Sequence, residues 1–490
     1  MASLASVTPG SSYPGLLKTE NNTGLTGAMQ TITDGSGNLT TAKISQAEFN
    51  NDGAGSGALN YLNTSIGWRA ACCNLTGQEH IVIGPEAQKS SQSGAGNVSI
   101  GSYAYVNSLV GSNNTAIGRY ALSNSACSDF NVALGARSMQ LGTCVGPYNV
   151  VIGGADAMRN GNGCNNVLLG ANTLQATASG SFNIGIGRFS MQNATTSCQI
   201  AIGYNSMRFA SSGCGNVAIG HNSLCNTSSG SFNVGIGTLV MNTNSSGSSN
   251  VAVGDCALFS NSTASCNTAV GYRSLYSNTT GTNNTGVGAN SLNGNTTGAG
   301  LSALGNETLK CNTTGNYNNA IGWNAMFSNT TGSNNEAIGV NALYNNTSGG
   351  CNTAIGQGAM YYNTTGGANI SIGRSSLEAN TIGNENIAIG RQALAANVTG
   401  SQNVAIGRSS MVGNTGGSIN TAIGWATNSG NFSCSVILGA CATATANNQF
   451  VVGATGAFNA GAVTVQSISP THVWAVNING QNYKIPLIPF

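Results

Sequence analysis

The sequence predicts an all-β chain, a parallel β-solenoid of about 24 coils with a 17-residue repeat. Three observations carry this. The first is a phrase, Asn-Val/Thr-Ala-Ile-Gly, whose glycine recurs from Gly67 to Gly453 in 24 copies, with 19 of the 23 intervals equal to 17 residues. A period held this tightly is the signature of a stacked repeat, in which each unit buries its apolar surface against the next. The second is the alternation before each glycine: counting the glycine as zero, position −1 is Ile, Val or Leu in all 24 copies and −3 is Val, Ile or Thr in 20, while −2 is Ala, Gly or Ser in 19. That is the period of a short strand with one bulky and one small face. The third is composition: 70 glycines and β-branched residues at this density exclude helical repeats.

Each element of the coil follows in order. Asn fills position −4 in 19 copies and precedes the strand. The glycine ends it, and Gly118, Gly220, Gly322, Gly356 and Gly390 represent a corner at which the chain needs a positive φ. Position +3 is usually Ala or Ser and +4 is Leu or Met, where eight of the ten methionines sit if Met158, one place late, is included. Later coils repeat Asn-Thr-Thr-Gly at +7 to +10, as in Asn278 to Gly281 and Asn363 to Gly366, and return the chain to the next coil. Identical residues then stack at the strand spacing of about 4.8 Å, so asparagines can form hydrogen-bonded ladders. At that spacing 24 coils make a rod of roughly 115 Å.

Three regions are expected: an attachment or capping segment over residues 1–60, the array over 61–456, and a cap or tip over 457–490. The first contains strand-like stretches at Gln30 to Thr33 and Leu39 to Ile44. The last reads as a β-hairpin, with Val473 to Ile478 and Gln481 to Ile488 joined at Asn479-Gly480. Residues 1–15 have no basic and apolar signal pattern, and no apolar stretch is long enough to span a membrane as a helix.

Each coil offers about three bulky apolar residues to offset the ordering of 17, a thin core against about 1–2 kcal/mol of entropy per residue. Several chains packed around an axis are therefore expected, with the Leu/Met ladder or the Ala strip at −2 as the contact; the alternative is a lone solenoid with a narrow, self-filled interior. The Asn-x-Ala-Ile-Gly phrase, followed by Ala or Ser three residues later, resembles the head repeats of trimeric autotransporter adhesins and similar repeats in bacteriophage and large-virus tail fibres. The resemblance spans Asn63 to about Gly453, and it implies a homotrimer of left-handed parallel β-rolls. Neither the heptad stalk nor the membrane barrel of those adhesins is present in the sequence. That favours a virion fibre attached through its N-terminal segment, located on the virion surface or extracellularly, and binding a host glycan or protein. An extracellular adhesin or matrix filament is the alternative.

Chemistry is sparse. Charged residues are 6% of the chain and the net charge is +2, which argues against nucleic-acid binding. No enzyme and no cofactor are expected: the nearest carboxylate pair for a polysaccharide depolymerase is Glu378 with Glu385, and His80, His221 and His472 are scattered. An ice-binding face would need a Thr ladder more regular than the one through Thr279, Thr296, Thr313 and Thr330. Most cysteines stand in for small corner residues at −5 and −6; Cys127 and Cys144, in adjacent coils, and Cys72-Cys73 are the candidates for disulfides. Position −3 turns polar at Ser302, Asn319 and Glu336, as a hydrated interior patch or a change of inter-chain contact. Position +1 collects large side chains in an outward ridge, and the candidate receptor-binding residues are Arg374, Arg391, Arg408 and Trp425, an anion-binding stripe ending in a ring that can stack on a sugar.

Overall fold

The computed structural model describes residues 63–453, apart from 72–76, 91–92, 126–127, 141–144, 160–161 and 176–179, and the backbones of five strands outside them. Three of those, β1 (Lys18–Thr19), β2 (Met29–Thr33) and β3 (Leu39–Ser45), form an antiparallel sheet in that order. At the other end β28 (His472–Ile478) pairs antiparallel with β29 (Gln481–Leu487), the hairpin expected there. The proposed disulfide positions Cys72, Cys73, Cys127 and Cys144 lie outside the described residues.

Between these ends run 24 strands of three residues, from β4 (Thr64–Ile66) to β27 (Phe450–Val452), and each pairs in parallel with the next. The register advances by one coil throughout, so that Ala320 lies on Ala337 and Ile321 on Ile338. One sheet and a set of turns therefore make the rod.

The faces of that sheet are the reverse of the sequence expectation. Position −2 points inward: Ala320 is 0% exposed, whereas Ile321 beside it is 46% exposed. The other wall is the turn, where Ala325 and Met326 at +3 and +4 are wholly buried, as are Ala342 with Leu343 and Ala359 with Met360. In most coils the interior is thus one small residue facing one Leu or Met, and neither the Ala strip nor the Leu/Met ladder is available for contact with another chain. The bulky Ile/Val rows at −1 and −3 face outward. Space accounts for the inward place of the small residue. A Cβ built on Gly235, a −2 position, would run into Leu224 Cδ1, beside a Val240 that fills the +3 position. Val82, Val151, Leu168 and Ile437 show that other coils bury a larger residue at −2. The polar run at −3 follows the same geometry: Asn319 and Glu336 are exposed and Ser302 half-buried, on the outer face rather than in a hydrated interior.

The corners are also built differently from expectation. The glycines do take positive φ, 132° at Gly118, Gly220 and Gly322, 135° at Gly356 and 130° at Gly390. Bulky residues share the left-handed region, however. In the coil of Gly322, Asn324 and Met326 have φ of 55° and 53°, and Asn334 at the next −5 corner has 61°. A long side chain seldom adopts this conformation. Here it swings the methionine into the interior, where complete burial offsets the backbone cost.

The asparagines at −4 and +7 are not corner residues in that sense. They are buried, and they form two ladders. Asn352 donates its backbone N–H and its side-chain amide to Asn335 Oδ1 (3.0 and 3.1 Å), and Asn346 Nδ2 donates to Asn329 Oδ1 (2.8 Å). The ladders meet at the +10 glycine: Gly349 O accepts from both Asn335 Nδ2 (2.9 Å) and Asn346 Nδ2 (3.0 Å). Each such coil is clamped shut by two amides on one carbonyl. Substitutes preserve the bonding. His80 stands at −4, and its Nδ1 accepts from the Asn97 N–H at 3.2 Å. Burial holds its pKa below the ordinary histidine value. Tyr105 replaces Leu/Met at +4; its hydroxyl accepts from Asn114 Nδ2 (3.0 Å), and burial pushes the phenol up.

This geometry gives a direct test of the corner. A Cβ at position 322 would sit 2.6 Å from Gly339 O, a backbone atom of the next coil. Gly322→Val should therefore cost at least about 1–3 kcal/mol, read as a lower midpoint in reversible denaturant unfolding. A midpoint equal to that of the wild type would contradict the corner.

Candidate functional site

With the interior filled by side chains of the chain itself, any site must lie on the outer surface, which the repeat divides into lengthwise strips. The +1 ridge is one. Because the glycine turns the chain outward after each strand, the following side chain projects: Trp68, Trp323 and Trp425 are 64%, 56% and 46% exposed. Arg374, Arg391 and Arg408 are all exposed, at one phase in three consecutive coils, with Trp425 in the next. Their backbones stand one coil apart, and like charges held about 5 Å apart in water repel by about 1 kcal/mol per pair. The ion pairs of the described array lie elsewhere: Glu86 with Arg69 and Lys89, Asp156 with Arg137 and Arg159, and Glu307 with Lys310. The structure thus brings the four sequence-predicted residues into one row.

The turn face holds a feature that the sequence reading missed. Phe327, Tyr344 and Tyr361 occupy +5 in consecutive coils, and their rings stack at centroid distances of 5.1 Å. Tyr362 meets Tyr361 edge-on at 4.7 Å. Lys310 caps the stack, its Nζ 5.2 Å from the Phe327 ring. Beside it runs a shallow, open groove lined by Ser328, Asn345, Thr347, Tyr362, Thr364 and Thr381 among others. The Thr hydroxyls are engaged along the rod: Thr330, Thr347 and Thr364 each donate to the carbonyl one coil on, at 2.9–3.0 Å. The legible signal was three aromatic residues at one phase, at 17-residue spacing.

The groups weighed for chemistry are engaged in other contacts or lie in separate parts of the coil. Glu378 and Glu385 sit at +5 and −5, and the Glu385 carboxylate accepts from Gln402 Nε2 at 3.0 Å. His80 belongs to the inner ladder and His221 stacks on Tyr204 at 5.5 Å. Among the described residues, no three of His, Cys, Asp and Glu gather closely enough to hold a metal ion. Cys198, Cys266, Cys351 and Cys434 occupy the −5 corner with φ of 58–61° and are exposed, while burial pushes the thiols of Cys225, Cys256 and Cys311 up. The Asn-x-Ser/Thr acceptors Asn278, Asn295, Asn312 and Asn363 are wholly buried in the +7 ladder with both amide hydrogens donated, so the folded array cannot present them to a glycosylating enzyme.

The third strip is the outer face of the sheet. Ile, Val or Leu at −1 lies half-buried to exposed in every coil, beside the −3 row, and no described part of the chain covers them. No protein-family model and no curated protein sequence matches the chain. No helix of the described chain is long and apolar enough to cross a membrane.

The ridge can be tested alone. Replacing Arg374, Arg391 and Arg408 together by Gln should leave unfolding within about 0.5 kcal/mol of the wild type, because the side chains are exposed. The same variant should lose salt-sensitive binding to a sulfated polysaccharide at low ionic strength. Binding equal to wild type at low and physiological salt would remove the stripe as a binding surface.

Proposed function

We propose that this chain is a structural and receptor-binding rod that assembles with copies of itself, as a homotrimeric fibre attaching a virion to a host surface. The observation that carries the assembly is the uncovered Ile/Val face. The 24 aliphatic residues at −1 and the 15 apolar ones at −3, each leaving about 40 Å² of side chain in water, amount to on the order of 1,500 Å² per copy. A standard stable interface needs about 800 Å² per partner. A face of that size, running the length of the rod, marks an interaction surface rather than ordinary exposure.

The count of three rests on the resemblance of the repeat to adhesin heads and tail fibres, and closed symmetry favours identical faces meeting around an axis. In this reading the sheet faces turn toward the axis, and the Arg374–Arg408 ridge and the aromatic groove stay outside as receptor-facing surfaces. The N-terminal segment joins the rod to the particle, and the rod does no catalysis. The alternative, an extracellular adhesin or matrix filament, shares the assembly and differs in what the end attaches to; imaging particles with an antibody against the chain separates the two.

Sedimentation at micromolar concentration should give three times the 49.1 kDa chain mass. Ile338→Lys with Ile355→Lys should give a folded monomer, because lysine on an apolar interface loses its hydration without a partner. A wild-type monomer would contradict the proposal; a dimer would keep the face and correct the count.

A further inference from the structure

The outer face has one irregularity. The −1 row is aliphatic from Ile66 to Val452 without a break, but the −3 row is not. From Thr268 to Thr353 it reads Thr, Thr, Ser, Asn, Glu, Thr: six consecutive strands with no aliphatic side chain at that position. Asn319 and Glu336 are exposed, and within the described chain the Glu336 carboxylate has neither a hydrogen bond nor an ion pair. Twelve strands of the array precede this window and six follow it.

We infer that this polar window fixes how a second copy of the chain aligns along the rod. The inference rests on the assembly proposed above. An apolar face that repeats in every coil does not specify alignment by itself. Sliding one copy past another by a coil, about 4.8 Å, returns Ile to Ile and Val to Val at nearly equal energy. The window removes that degeneracy. With the copies aligned, polar side chains face polar side chains and water remains between them, so the Glu336 carboxylates keep their hydration. A slip of one coil sets Glu336 against Asn319 and Thr353, which is tolerated. A slip of two sets it against Ile370, where a carboxylate is stripped of water and given no partner. Mutual repulsion of hydrated carboxylates is a smaller term than that desolvation. The copies are thereby held within one coil of alignment. The off-centre position also selects parallel copies, because antiparallel copies with matched windows would leave six strands of each face uncovered. A polar residue in a coiled-coil seam sets register by the same physics.

The test is made on the full chain carrying a photo-crosslinking amino acid at position 321, on the outer face, with crosslinked partners mapped by mass spectrometry. In the wild-type background, crosslinks should fall on the partner's coil at 319–323 or one coil away. In the Ser302→Val, Asn319→Val, Glu336→Val background the assembly should persist, and crosslinks two or more coils away, near 285–289 and 353–357, should appear. The single variant Glu336→Gln, which keeps the window polar, should retain the wild-type pattern. Persistent assembly with an unchanged crosslink pattern in the triple variant would overturn the inference while leaving the assembly intact. A wild type that is monomeric and gives no crosslinks would overturn both.

Discussion

A coil of 17 residues that turns at a glycine and again through left-handed residues at +2 and +4 encloses a very narrow cross-section. In most coils it holds one Leu or Met from the turn and one Ala, Ser or Gly from the strand, and little else that is apolar. The rest of the molecule follows from that limit. Most coils leave room on the inner side of the strand only for Ala, Ser or Gly, with Val82, Val151, Leu168 and Ile437 as wholly buried exceptions, and the regular Ile and Val side chains at −1 and −3 go outside. The strand keeps its β-branched residues, which suit a pleated backbone, while the core depends on unbranched side chains that reach across the turn.

So small an apolar core has to be supplemented, and the supplement is polar. In the regular coils the carbonyl of the +10 glycine accepts from two asparagine amides, and each asparagine continues a ladder into the neighbouring coils. These buried groups are satisfied almost entirely by one another, which gives a buried polar network its specificity. Leu301 interrupts the −4 ladder, and Asn284 Oδ1 accepts from its backbone N–H at 3.0 Å, so one missing side chain does not break the bond from below. The low charge of the chain has the same origin. A charged residue repeated at one phase would meet its own kind every coil, and neutral Asn, Thr and Ser avoid that repulsion. The arginine ridge from Arg374 to Arg408 departs from this pattern.

Much of this was legible in the sequence. The glycine spacing placed the array strands, the Leu/Met position was found, and the ridge at +1 projects as expected. The orientation of the sheet was not legible. Hydropathy alone marks Ile321 as a core residue and Ala320 as a contact strip, and only the width of the coil reverses them. The left-handed Met326 and its equivalents were hidden for a related reason, because residue preference assigns positive φ to Gly and Asn. The stacked Phe327, Tyr344 and Tyr361 were visible in phase, but no expectation about function directed attention to +5.

The central claim is that the small residue of the strand faces a full interior and the bulky ones face out. It is tested most directly by Ala405→Ile in the Ile338→Lys, Ile355→Lys background, where assembly does not contribute. Ala405 is 0% exposed, and overfilling a closed core typically costs about 1–3 kcal/mol. The account predicts that much loss in denaturant unfolding, at an unchanged dependence on denaturant concentration. An unfolding midpoint equal to that of the parent would mean that the alanine side of the strand has free space, and would contradict it.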